Sequence, residues 1–196
     1  MNYPLHFRFK LLALAPQIFV EDSGRQTVCY VKQKLFKLKE KVSVFRNDAM
    51  NDLLATIEAD RIIDWSAKYT FRDAQGRDLG AVGRRGMRSL WSAHYDIFTP
   101  GGGDVAFTIR EENPMAKVVD SLLGDVPIVG MLTGYICHPK YIACRADGTP
   151  VMRMTKMPSF LERSFQLDLI GTADEGEQAA IMMSFLMMVL LERERG

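Results

Sequence analysis

The feature that most constrains this fold is an uncharged run close to the C-terminal end of the sequence. Residues 179–191 form a run of thirteen residues that contains one serine and no charge. A transmembrane helix needs about 20 apolar residues, whereas a run of about 10–14 is more typical of a helix buried in a protein core. A helix that is apolar on every side has to be surrounded on every side. We therefore predict a buried helix over about residues 174–194 and no membrane span.

The residues around the run are typical of a helix that begins just before it. Thr172 or Asp174 can cap the first turn, and Glu175 places an acid where it complements the positive end of the helix dipole. The run also contains four methionines, whose unbranched side chains adapt to gaps in an irregular cavity. The interior of a β-barrel would supply such surroundings.

A repeat of 26 residues indicates which strands could build that barrel. Strand-like runs end at Phe19, Phe45, Phe71 and Ile97, and each is followed by a turn rich in Asp, Asn or Gly. After each turn comes a second alternating run, and a fifth, out-of-phase copy follows later in the chain. These second runs and the fifth copy are Thr27–Val31, Leu53–Ile57, Leu79–Val82, Val105–Ile109 and Tyr141–Met154.

Two alternating runs joined by a tight turn predict a β-hairpin, and consecutive hairpins predict an antiparallel meander. Closure of the meander into a barrel would remove the exposed strand edges that invite aggregation. We therefore predict a mainly β fold, a closed antiparallel barrel around a hydrophobic C-terminal helix. We expect residues 1–196 to form one domain.

Other elements are predicted outside the repeat. Phe7 and Phe9 alternate with polar residues in a first strand, and Phe165–Ile170 alternates in a last one. Between the fourth and fifth copies, Val118–Leu123 suggests a short helix and Gly134–Cys137 suggests another strand.

Two segments carry a resemblance to a known family. They are Tyr30–Lys41, which reads YVKQKLFKLKEK, and Tyr69–Gly76, which reads YTFRDAQG. Together with the hairpins, the terminal strand and the apolar helix, they make the chain resemble the tubby-like superfamily. Within that superfamily it is most similar to the LURP-one-related, phospholipid scramblase-like branch. The resemblance covers the chain from about Phe7 to Leu191.

The resemblance implies a barrel of about twelve strands around a central hydrophobic helix. It also implies kinship with tubby proteins, which bind phosphoinositides, and with phospholipid scramblases. The chain lacks an acidic cluster like the calcium segment of a scramblase, so the resemblance does not extend to scramblase activity. We expect a non-enzymatic domain that binds anionic phospholipid or phosphoinositide head groups or acts as a scaffold.

Nine basic residues are the candidate lipid-binding residues. They are Lys32, Lys34, Lys37, Lys39, Lys41, Arg84, Arg85, Arg88 and Arg110. Each Lys or Arg near an anionic membrane contributes about 1 kcal/mol, so a cluster is needed. In the 26-residue repeat, Lys32, Arg84 and Arg110 are equivalent positions, which predicts that they line one rim. The alternative, favoured by a formal net charge of +1, is a solvated outer face.

A second hypothesis places a small-ligand site or a thiol-dependent enzyme at one barrel end, near Cys137, His138 and Cys144. Adjacent residues on a strand point to opposite faces, however, and no third group is available to orient the histidine. The cysteines and histidines also lack the paired spacing of a zinc site. We therefore predict no catalytic site, no metal and no cofactor.

The remaining composition concerns location and partners. Three cysteines argue against a disulfide-stapled secreted domain, and the apolar stretch Leu11–Ala15 is shorter than the core of a signal peptide. We expect a cytoplasmic protein, at most peripherally attached to a membrane surface, with anionic phospholipid or another protein as partner. Nucleic acid is not expected, because aromatic residues do not interleave with the basic ones.

Overall fold

The computed structural model describes residues 1–10, 17–32, 41–60, 67–85, 94–101, 103–112, 139–158 and 163–193. These residues form twelve strands and one helix. The strands are β1 (Leu5–Lys10), β2 (Gln17–Glu21), β3 (Thr27–Lys32), β4 (Lys41–Phe45), β5 (Leu53–Ala59), β6 (Lys68–Asp73), β7 (Asp78–Arg84), β8 (His94–Phe98), β9 (Val105–Glu111), β10 (Lys140–Arg145), β11 (Pro150–Met157) and β12 (Arg163–Leu169). The helix is α1 (Glu175–Arg193).

The twelve strands form a closed antiparallel barrel. Each strand pairs with its neighbours along the chain, and β1 closes the ring by pairing with β12. The predicted fold class is therefore confirmed, including the twelve strands that the family resemblance implied. The predicted elements at Val118–Leu123 and Gly134–Cys137 lie outside the described residues.

Strand alternation places one row of side chains in the lumen and the other outside. In β1, for example, Leu5, Phe7 and Phe9 are buried, whereas Arg8 and Lys10 are exposed. Side chains that are paired across neighbouring strands lie on the same face of the sheet, so the register extends this assignment around the barrel. The inner face of the wall is thus mostly apolar and needs an apolar filling.

Helix α1 supplies that filling. Every residue from Ala180 to Leu190 is buried, so all sides of the helix contact protein over this stretch. The inward-facing strand residues and the helix side chains form one continuous hydrophobic core. The prediction of a buried C-terminal helix, placed at about residues 174–194, is confirmed, and α1 begins one residue later than predicted. Ser184, the one polar residue of the run, donates its hydroxyl hydrogen to the Ala180 carbonyl at 2.7 Å.

The first turn of α1 is held by two reciprocal hydrogen bonds. The Glu177 amide donates to the Asp174 carboxylate at 2.8 Å, and the Asp174 amide donates to the Glu177 carboxylate at 3.1 Å. This arrangement is a capping box, which satisfies amides that a helix start otherwise leaves without partners. Of the two residues predicted as the cap, Asp174 fills the role and Thr172 does not.

Arg145 joins this turn to the barrel wall. Its guanidinium donates to both carboxylate oxygens of Glu177, at 2.7 and 2.9 Å, and to the Thr172 carbonyl at 3.0 Å. The guanidinium also lies 5.1 Å from the centre of the Phe107 ring. A bidentate arginine–carboxylate pair fixes orientation as well as distance. The pair therefore sets where α1 enters the lumen.

The two ends of the barrel differ in how the strands are connected. At the end where α1 begins, which we call the turn end, the hairpins turn through short segments: residues 22–26, 46–52, 74–77, 99–104 and 146–149. At the other end, which we call the loop end, the connections run through residues 11–16, 33–40, 60–67, 85–93, 112–139 and 158–162. The last residues of α1 lie at the loop end.

Each of the five hairpins at the turn end contains a β-bulge. The register shifts by one residue just before the turn, so that one residue of the second strand has no partner. The extra residues are Val28, Leu54, Leu79, Ala106 and Val151. All five are apolar and contribute to the core or pack against it. Bulges bend strands and re-aim side chains, and here they direct five apolar groups toward the turn end of the lumen.

One prediction made from the repeat is wrong. Arg84 was predicted to be equivalent to Lys32 and Arg110, but its strand partner Tyr95 faces the lumen, whereas Lys32 and Arg110 face outward. The bulged residues lie at 28, 54, 79 and 106, so the third hairpin falls one residue short of the 26-residue spacing. A shift of one residue moves every later side chain of that strand to the other face.

Gly171 lies where the chain leaves β12 and turns into the lumen. The amides of Ile170 and Gly171 both donate to the Val151 carbonyl, at 2.9 and 3.0 Å. A Cβ atom on Gly171 would overlap the carbonyl oxygen of Pro150. Only a residue without a side chain can pass this close to the backbone of β11.

We expect Gly171→Ala to lower the free energy of unfolding by about 2–3 kcal/mol, because either the turn or β11 must move. Urea denaturation followed by circular dichroism measures the change. Gly103→Ala is the matched control, since a Cβ atom there meets nothing within 4 Å. Equal stability of the two variants would contradict the close passage at Gly171.

The Arg145–Glu177 pair predicts an acid-sensitive contribution to stability. The hydrogen bond from Arg145 lowers the pKa of Glu177 below its ordinary value of 4.5. The contribution is therefore fully present above pH 4.5 and is lost as the pH falls through the lowered pKa. We expect Glu177→Gln to cost about 1 kcal/mol near neutral pH and to flatten the decline of stability in acid. Unfolding measured across the acidic range, with the exposed neighbour Glu175→Gln as control, checks both effects; identical acid profiles for the two variants would argue against the pair.

Candidate functional site

Charge is distributed unevenly between the two barrel ends. We count the described connections at each end, the two strand residues next to each connection and the first turn of α1. The loop end then has ten basic residues and four acidic ones, and the turn end has five basic residues and twelve acidic ones. The ten are Lys10, Lys32, Lys41, Lys68, Arg84, Arg85, Arg110, Lys140, Lys156 and Arg163. Among the described residues, the charge distribution is therefore strongly dipolar, although the net charge of the chain is +1.

The segregation of charge gives the predicted basic residues a common location. Lys32, Lys41, Arg84, Arg85 and Arg110 all lie at strand ends on the loop end. The other predicted residues, Lys34, Lys37, Lys39 and Arg88, lie outside the described residues. The structure thus places the five described candidates on one end of the barrel, although Arg84 belongs to the inward-facing row.

Two of these residues form ion pairs with acidic neighbours, which offset their positive charge. Lys41 forms an ion pair with Glu58 at 2.8 Å, and Arg85 forms one with Asp96 at 3.1 Å. Lys32 and Arg110 are exposed and form no ion pair with any other described residue. These two outward-facing cations are the most available of the described candidates for an anionic partner.

Sequence reasoning missed five further basic residues at the same end, namely Lys68 at the start of β6 and four residues on adjacent strands. Lys10, Lys140, Lys156 and Arg163 lie at or next to the ends of four adjacent strands, β1, β10, β11 and β12. Each is isolated along the chain, so no local cluster of charge marked it. Their positions along the chain could have indicated this location, because they lie far from the turns rich in Asp, Asn or Gly and so at the opposite end of each hairpin.

A cavity of about 140 Å³ lies at the loop end beside the last buried turns of α1. It is lined by Phe9, Pro139, Tyr141, Lys156, Arg163, Phe165, Met188 and Val189. Six of these residues are uncharged and two are cationic. Arg163 is exposed and Lys156 is half-buried, so the cationic side of the cavity faces solvent.

Of the three residues of the second hypothesis, the structure describes Cys144, which does not lie at this end. Pro139 lies at the loop end, directly before β10, whereas Cys144 lies near the turn end of the same strand. Five residues of extended strand separate them by roughly 16 Å. Cys144 is 2% exposed and faces outward, and Cys29 is fully buried in the lumen. Burial raises the pKa of the Cys29 thiol to about 12, which keeps it protonated and unreactive. Cys137 and His138 lie outside the described residues.

Among the described residues, no three His, Cys, Asp or Glu side chains are grouped so that they could bind a metal ion. Within the same part of the chain, no helix combines the length and the hydropathy needed to cross a membrane.

Comparisons with known proteins give two matches. The sequence profile of the LURP-one-related family matches residues 27–189, from β3 to the end of the buried part of α1. The X-ray structure of a protein from Arabidopsis thaliana is similar with a TM-score of 0.51 and 11% sequence identity, over 98% of this chain and 93% of that one. Identity this low shows a shared fold and carries no function with it. No curated protein matches the chain.

The burial of the two described thiols can be tested in a Cys137→Ser variant. We expect Cys29 and Cys144 to react with a thiol reagent such as DTNB only as fast as the protein unfolds, because both are buried. Absorbance at neutral pH, with and without denaturant, measures the rate. Rapid reaction of either thiol in the folded protein would contradict this and would revive the thiol-dependent hypothesis.

Proposed function

The chain belongs to the LURP-one-related family of the tubby-like superfamily, and on that premise we propose that it is a non-enzymatic domain that binds anionic phospholipid surfaces through the loop end of its barrel. The single observation that carries the proposal is the excess of basic residues at this end, ten against four acidic ones among the described residues. A cytoplasmic membrane leaflet, which is negatively charged, is the surface that such an end would face.

The electrostatics favour this orientation over any other. Each Lys or Arg near an anionic membrane contributes about 1 kcal/mol, so even a few free cations on one end give a usable affinity. The acidic turn end would be repelled by the same surface. A dipolar protein with a net charge of +1 can therefore bind in one orientation without binding anions everywhere.

The architecture also favours a surface role over a lumen role. Helix α1 occupies the centre of the barrel from Ala180 to Leu190, which removes the large cavity that ligand-binding barrels use. What remains available is the outside and the loop end. A scaffold that binds an acidic protein through the same cations is the second candidate, and it differs in requiring no lipid.

Binding of the full chain to vesicles tests the proposal. We expect cosedimentation with vesicles of phosphatidylserine and phosphatidylcholine but not with phosphatidylcholine alone, and we expect binding to weaken as salt screens the charges. The double variant Lys32→Glu and Arg110→Glu should bind at least about 30-fold more weakly, since the loss of two cations alone removes about 2 kcal/mol.

The matched control makes the same change of charge at the turn end. Arg25→Glu together with Arg46→Glu should leave vesicle binding unchanged, because these side chains lie on the end that faces away from the membrane. Binding that ignores lipid charge, or equal losses in the two double variants, would overturn the proposal and leave the scaffold role.

A further inference from the structure

We propose that the cavity at the loop end binds the alkyl chain of a single-chain anionic lipid, with the carboxylate or phosphate head held by Lys156 and Arg163. This inference rests on the proposed function, because it takes the loop end as the lipid-facing end. It adds a specific pocket and a ligand class to a surface otherwise described by its charge.

The first argument is the position of the two cations. Lys156 pairs in register with Phe165, and Arg163 pairs with Phe9, and both phenylalanines are buried in the lumen. Partners across a strand pair share a face, so both cations belong to the inward-facing row of the wall. Neither forms an ion pair with another described residue. Two cations that no described acidic residue neutralises, at the rim of an apolar lumen, are suited to receiving an anion from outside.

The second argument is the chemistry of the cavity below them. Phe9, Tyr141 and Phe165 form the barrel side, and Met188 and Val189 form the helix side. An alkyl chain gains from leaving water for such a wall, and Met188 can adjust its unbranched side chain to an occupant. Among the described lining residues, the charged groups that a ligand can contact are the two cations at the mouth.

The size of the cavity limits what enters it. Its volume of about 140 Å³ is close to that of an engineered protein cavity, about 150 Å³, that holds a benzene molecule. The space is therefore sufficient for about six carbon atoms. With the head group and its first two methylenes at the cationic mouth, a chain of about eight carbons fills the cavity, and a longer chain has no room without displacing the head group.

Calorimetric titration of the full chain with octanoate, octyl phosphate, octanol and octyltrimethylammonium tests the site. We expect at least one of the two anions to bind at least about tenfold more tightly than the neutral and cationic amphiphiles, because a charge-assisted hydrogen bond forms only with an anion. The two anions also tell a carboxylate head from a phosphate head. Affinity should rise by about fourfold per methylene up to about eight carbons and then level off. Equal binding of all four probes, or no binding of either anion, would overturn the proposal.

Two variants locate the site. Val189→Phe should fill the cavity and lower the affinity for the bound anion at least about tenfold, with thermal unfolding as a check that the fold is retained. If that variant does not fold, the pair Lys156→Gln and Arg163→Gln at the mouth of the cavity supplies the same test without changing a core residue. Lys32→Gln with Arg110→Gln is the matched control, since it removes two loop-end cations that do not line the cavity.

The outcomes separate this inference from the proposed function. The control pair should weaken binding to anionic vesicles and leave binding of the soluble anion unchanged, whereas the cavity pair should weaken binding of the soluble anion. Vesicle binding without binding of either anion would overturn the pocket and keep the surface role. Equal loss of soluble-anion binding in both pairs would also overturn the pocket, because it would mean general attraction of anions.

Discussion

The mutual burial of the barrel wall and α1 is the interaction on which the rest of the structure depends. Eleven consecutive helix residues, Ala180 to Leu190, are buried by a ring of strands, and the inward-facing residues of those strands are buried by the helix. Neither part has another way to remove its apolar surface from water. The hydrophobic effect therefore couples the two, and the strand pairing, the bulges and the turn at Gly171 are arranged around that contact.

The two barrel ends divide the remaining tasks. At the turn end, five bulged residues, the capping box of Asp174 and the Arg145–Glu177 pair fix the helix and close off the lumen. At the loop end, the wall presents cations and leaves a cavity beside the helix. A rigid end that supports a second end carrying the binding residues is a common arrangement, because a ligand site has to be positioned by a rigid scaffold.

Much of this architecture could be predicted from the sequence, and the limits have a physical cause. The apolar run predicted the buried helix and the turns predicted the hairpins, because each of these elements is encoded by residues that are adjacent in the sequence. The face of Arg84 depended on a single residue in the third turn, which no average period reveals. The shared inward face of Lys156 and Arg163 could not be recognised, because it follows from the register of β11 with β12 and of β12 with β1, which isolated charges do not reveal.

The order of the chain has a consequence for synthesis. The helix that fills the barrel follows all twelve strands, so the lumen has no filling until the last element emerges from the ribosome. Until then the hairpins can pair with their neighbours, but their inner faces remain exposed to water. β1 also remains unpaired on one side until β12 has been made. Until α1 has been made, the nascent chain is thus a curved sheet with an exposed apolar face and two open edges. We therefore expect the chain to depend most on chaperones before α1 has been made, and we expect a truncation that removes α1 to prevent the core from forming.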